Sequence, residues 1–214
     1  MKKNLVMFTS VFASLAILST GFAAWVISGG DQKTEEIGDI VVDIVTDNRH
    51  TITVEKATGE TGKVVFGHPS TTQKDAWLTY NDSNVEKLDV LLKVAVSNAA
   101  NKEIANIFDT KSCTLAEKDT DKYGAANTAG YVGAMPGVQF VTSDKKSTTT
   151  LDSDGVVYVL LHFTWGATFG GNNPYTYYNN QTFTNKLAAE AKTNLEGLYN
   201  LNGVKFNLTL KTNA

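Results

Sequence analysis

A mainly β protein, an antiparallel jelly roll or β-sandwich with one or two short helices behind an N-terminal hydrophobic signal helix, is the fold class this sequence predicts. Short runs rich in Val, Ile, Leu and aromatic residues recur along the chain, several of them alternating polar with apolar. Polar turn clusters separate these runs. One segment only carries a clear helical period, and it lies near the C-terminus.

In chain order, Ile40-Val-Val-Asp-Ile-Val45 is a β-branched run, and Thr51-Ile-Thr-Val54 alternates. Lys63-Val-Val-Phe66 is a short apolar segment, and Leu88 to Val96 is long and rich in Val and Leu. Gly137 to Val141 follows, then Gly155 to Trp165. In the last strand, Val204 to Leu210, alternation puts Val204, Phe206, Leu208 and Leu210 on one face. The turns between them are marked by Thr58 to Gly62, Asn81 to Asn84, Asp152 to Gly155 and Asn202-Gly203. Thr184 is a cap for a helix from Asn185 to about Leu201, with Leu187, Ala191, Leu195 and Leu198 on one face and Lys192 and Glu196 on the other. Gly197 weakens that helix locally. Ala99 to Phe108 reads as a second helix-like stretch, and the Gly-, Ala-, Thr- and charge-rich segment from Asp109 to Ala134 as a long surface excursion.

The N-terminus reads differently. Lys2 and Lys3 precede an apolar run from Leu5 to Leu18, and small residues lead into Ala23 and Ala24. That order of charge, apolar core and small residues is a secretory signal, cleaved by signal peptidase between Ala23 and Ala24. The alternative is an uncleaved anchor, because the apolar stretch continues through Trp25, Val26 and Ile27. Residues 1–23 are therefore the signal, 24–36 an N-terminal extension, and 37–214 one β domain. About 190 residues remain after cleavage, enough for a single core without disulfides. Cys113 is the one cysteine and reads as an incidental free thiol.

Chemistry is harder to find. The net charge is −3 with no polybasic run, which argues against nucleic acid as a partner and limits membrane contact to the segment before cleavage. His50, His68 and His162 are scattered, and no His-Glu-x-x-His, Gly-x-Ser-x-Gly or phosphate-binding glycine pattern occurs. Asp152-Ser-Asp-Gly155 starts like a calcium loop but lacks the closing glutamate, so it reads as a turn. Glu35-Glu36 reads as solvated charge. No catalytic residue, cofactor or metal site is expected, and the chain is not expected to be an enzyme. One segment stands out: Trp165 to Asn180 interleaves aromatic residues with Gly and Asn. Such a loop binds sugar or protein through flat rings, with Trp165, Phe169, Tyr175, Tyr177 and Tyr178 as contacts, or it is a compact loop whose tyrosines cover the sheet end and pack under the following helix.

Thr20-Gly-Phe-Ala-Ala-Trp-Val-Ile-Ser-Gly-Gly-Asp31, followed by Ile37-Gly-Asp-Ile-Val-Val-Asp-Ile44, resembles the TasA/camelysin group of secreted proteins of Gram-positive bacteria. The likeness covers roughly 25 residues, and Val-Ile-Ser-Gly-Gly follows the aromatic where the group usually carries Asn or Ser and then Asp. The resemblance implies a subunit of an extracellular biofilm-matrix fibre, whose N-terminal strand completes a groove in the next copy. Trp25, Val26 and Ile27 would be that assembly strand, and the chain itself the main partner, with a matrix polysaccharide or protein as a further one. A monomeric cell-surface adhesin or carbohydrate-binding module using residues 165–180 is the alternative. Metallopeptidases occur in the same group, but the zinc helix motif is missing here.

Overall fold

A computed structural model describes residues 33–45, 50–70, 78, 86–118, 120–201 and 203–213. The signal segment, the Ala23/Ala24 junction, the Trp25–Ile27 strand and the Asn81–Asn84 turn all lie outside those residues. Among the described residues eight strands form two four-stranded sheets. The first sheet has the order β1 (Lys33–Ile37), β2 (Ile40–Val45), β8 (Lys205–Lys211), β5 (Thr114–Lys118). The second has the order β3 (Ile52–Lys56), β4 (Asp89–Val96), β7 (Val156–His162), β6 (Gln139–Val141). All neighbours are antiparallel except β2 and β8, which run parallel with Ile40 opposite Phe206 and Ile44 opposite Leu210.

Alternation decides what each strand buries. Ile40, Val42 and Ile44 on β2, and Phe206, Leu208 and Leu210 on β8, turn into the same core as Val90, Leu92, Val94 and Val96 on β4 and Val157, Val159 and Leu161 on β7. The period-two reading of β8 matches the observed burial, with Val204 just ahead of the strand also in the core. The hairpin from β1 to β2 turns on Gly38 and Asp39, with Gly38 at φ +64° and a Cβ there 2.6 Å from the Gly62 carbonyl carbon. Only glycine fits that turn.

The described residues also form three α-helices: α1 (Lys122–Thr128), α2 (Pro174–Asn179) and α3 (Asn185–Leu198). Among the described residues no helix is long and apolar enough to cross a membrane. Helix α3 starts where expected, with the Leu187 amide donating to Thr184 Oγ1 at 3.1 Å, and a 3-10 turn extends it to Leu201. Ala191, Leu195 and Leu198 are buried.

Several segments depart from the sequence reading. Ala99 to Phe108 holds a single 3-10 turn, Ile104–Asn106, rather than a helix. Lys63 to Phe66 contributes one isolated bridge, Val65 to Lys87, rather than a strand. The last residues of the extension, from Lys33, are not a free spacer but form β1, and Glu36 is salt-bridged to Lys205. The supposed excursion from 109 to 134 contains β5 and α1 and buries Cys113, Leu115, Tyr123, Ala126 and Val132. Its few large apolar residues are scattered among polar and small ones, so composition hides them while the fold collects them.

Helix α1 also has an unusual start. Asp121 makes no side-chain cap bond. Glu117, on β5, accepts instead from the amides of Lys122 (2.7 Å), Tyr123 (2.9 Å) and Gly124 (3.3 Å) and from the Thr120 hydroxyl. Partial burial pushes its carboxyl upward, but these hydrogen bonds outweigh it and hold the carboxyl below its ordinary value of 4.5. A lowered folded value means that this contribution to stability is complete above about pH 4.5 and disappears as the pH falls through the folded value. Glu117→Ala is expected to cost about 1–2 kcal/mol in urea unfolding at pH 7 and to flatten the stability profile below pH 4.5.

Candidate functional site

The aromatic loop begins where β7 ends. Trp165 forms a bridge to Val132, and Gly166 lies extended against the backbone of Gly130 and Val132. A 3-10 turn, Ala167–Phe169, is closed by Gly170 and Gly171, both at positive φ. Asn173 then caps α2 by accepting from the Tyr175 amide at 2.9 Å, and Pro174 takes the first helical position.

This geometry separates the five rings. Phe169 and Tyr178 are fully buried and Trp165 nearly so, while Tyr177 is half-buried and Tyr175 is 39% exposed. Phe169 stands at the centre. It stacks on Tyr131 (5.9 Å, 24°) and meets Trp165, Tyr177 and Tyr178 edge-on at 5.9–6.1 Å. Trp165 carries the cluster on to Phe66, and Phe66 to Phe163 and Tyr123. The loop is thus a lid whose rings Trp165, Phe169 and Tyr178 belong to the hydrophobic core, with Tyr177 packed against it.

Its polar atoms are also engaged. Trp165 Nε1 donates to Glu86 Oε2 at 2.8 Å, and Asn173 Nδ2 donates to the same oxygen at 2.7 Å. Asn194 Nδ2 donates to the Tyr178 hydroxyl at 2.8 Å. Burial pushes the Tyr178 phenol up to about 12, so it is a neutral structural group. Only Tyr175 and part of Tyr177 remain to face a ligand.

Beside this lid lies a small cavity of about 110 Å³ lined by Asp39, Phe66, His68, Leu198 and Val204 among others. His68 is 8% exposed, with Nδ1 at 3.2 Å from the Pro69 carbonyl and its ring edge-on to Tyr199 at 4.8 Å. Burial lowers its pKa from the ordinary 6.5, more than the Pro69 carbonyl raises it. The folded state thus favours neutral His68, and the stability it contributes is complete above about pH 6.5 and is lost as the pH falls toward the lowered folded value. Thermal unfolding followed between pH 7 and 5 is expected to show a falling Tm, and His68→Phe to reduce that slope.

Elsewhere, Asp89 at the start of β4 accepts from His162 Nδ1 (2.6 Å) and Lys145 Nζ (2.8 Å), tying β4, β7 and the turn after β6 together. Asp152 Oδ1 accepts from the amides of Asp154 and Val156, making the turn the sequence marked. Cys113 is buried, and burial raises its thiol, which keeps it protonated. Among the described residues no three or more His, Cys, Asp or Glu side chains gather where they could hold a metal ion. No protein-family model, no curated protein and no solved structure matches this chain.

Two features escaped the sequence reading. Gly197 is needed in α3 because a Cβ there would overlap the Tyr131 ring. Glu117 caps a helix from a preceding strand, a spacing that no local capping motif contains.

Proposed function

We propose that this chain is a secreted structural protein of the TasA/camelysin type, with jelly-roll connectivity. It is the subunit of an extracellular biofilm-matrix fibre assembled by N-terminal strand donation. The observation that carries the proposal is the placement of two edges. The described chain enters at β1, one edge of the first sheet, and the opposite edge of that sheet is β5. β5 stands last in that strand order and pairs with β8. The edge of a sheet is where an added strand pairs through main-chain hydrogen bonds.

The donor is the segment ahead of β1. Ala24-Trp-Val-Ile27 is apolar and β-prone, and the five residues from Ser28 to Gln32 span at most about 17 Å when extended. The donor segment precedes β1 in the chain and the acceptor is β5, so each copy carries one of each. Head-to-tail contacts between unlike surfaces give an open filament rather than a closed ring. The aromatic loop is left with exposed Tyr175 and half-buried Tyr177 as contacts, which weakens the adhesin alternative built on it.

The test compares a chain beginning at Ala24 with one beginning at Asp31, which keeps all of β1. Filaments in negative-stain micrographs from the longer chain alone support donation. Filaments from both, or from neither, overturn it.

A further inference from the structure

A second recess, remote from the aromatic lid, is a groove of about 540 Å³ between the 103–110 segment and the hairpin that leaves β6. Its size falls within the range of about 300–1,000 Å³ typical of small-molecule sites. From this groove we infer a binding site for a neutral oligosaccharide, contacted by Phe140, Gln139, Glu103, Thr110, Ser147 and Thr149.

The chemistry of the lining selects the ligand class. Among the described residues no Lys, Arg or His lines the groove, which disfavours phosphates, nucleotides and acidic sugars. What lines it are hydroxyls, one primary amide and one carboxylate, the groups that exchange hydrogen bonds with sugar hydroxyls. Among the described residues Glu103, Thr110, Gln139, Ser147 and Thr149 make no side-chain hydrogen bond, and all five are exposed. Their capacity is unspent within the fold.

Phe140 supplies the flat surface. It is half-buried, lines the groove and stacks on buried Phe108 at 5.3 Å and 29°. A ring fixed in this way offers apolar contact area at little entropic cost. The main chain around it is already committed. The Thr148 amide donates to the Phe140 carbonyl (3.3 Å), the Ile104 amide to the Thr149 carbonyl (2.7 Å), and Val141 bridges Ser147. An extended peptide seeking main-chain partners finds them occupied here, whereas a ligand recognised by side chains does not.

The test is a two-dimensional NMR titration of the purified full chain with cellohexaose, maltohexaose and chitohexaose. Polygalacturonate serves as charged control, and a synthetic peptide of residues 24–29 as the polypeptide arm. At least one neutral oligosaccharide is expected to shift the amides of Gln139, Phe140 and Ser147 to Thr149. Gln139→Ala and Thr149→Ala, both at exposed positions, are each expected to weaken that binding about tenfold, and Tyr175→Ala to leave it unchanged. Phe140→Leu keeps an apolar contact on Phe108 and is expected to weaken binding while the remaining spectrum stays in place. The inference is overturned if none of the three oligosaccharides shifts these amides, if binding survives in the groove variants, or if only polygalacturonate or only the peptide shifts them.

Discussion

Phe169→Ala is expected to destabilise the fold by about 3–5 kcal/mol, the usual cost of emptying a buried aromatic site. Phe169 is fully buried and meets four other rings, so truncation leaves a void that no single neighbour can fill. For a domain of this length that loss lowers Tm by roughly 6–20 °C. Tyr175→Ala, at the exposed end of the same loop, is expected to cost under about 1 kcal/mol. Urea unfolding of the two variants measures both. A loss below about 1 kcal/mol for Phe169→Ala would show that the loop is a surface appendage and return its rings to the role of a binding platform.

Gly166→Ala is the second large effect, expected to cost about 3 kcal/mol, at the upper end of overpacking penalties. The reason is backbone contact. A Cβ on Gly166 would overlap the carbonyl group of Gly130 and stand 2.8 Å from the Val132 carbonyl oxygen. Neither atom is the end of a flexible side chain, so the two segments must move apart. That motion strains the bonds from the Gly166 amide to the Tyr131 carbonyl (3.0 Å) and from the Thr168 amide to the Gly130 carbonyl (3.0 Å). Gly171→Ala is the control, since its Cβ meets nothing within 4 Å, although its φ of +73° still costs about 1 kcal/mol. Denaturation midpoints that rank Gly171→Ala as the worse substitution would contradict the close approach.

These two sites also show what could be read in advance. Helix α3 and strand β8 were legible because their signals are local: a Thr cap and a helical stripe in one, strict alternation in the other. The parallel pairing of β2 with β8 was not legible, because it joins residues more than 150 positions apart and leaves no trace in either strand. The segment from 109 to 134 misled for a different reason. Tyr123 and Leu115 are isolated apolar residues in polar company, and their burial depends on β8 and on the aromatic core above them. In the loop, glycine and asparagine among aromatic rings suit a binding loop and a buried turn equally well. Only the close approach of Gly166 to Gly130 and the position of Phe169 among four rings decide for burial. The oligosaccharide groove was invisible in sequence because its lining comes from three separated stretches.

In the proposed fibre, the N-terminal segment of one copy adds a strand to β5 of the next. Amide hydrogen exchange across Thr114–Lys118, compared between filaments of the chain beginning at Ala24 and the monomer beginning at Asp31, tests it most directly. The expected result is fast exchange at the amides of β5 that point away from β8 in the monomer, and strong protection of the same amides in the filament. Filaments whose β5 amides exchange as fast as those of the monomer would contradict it.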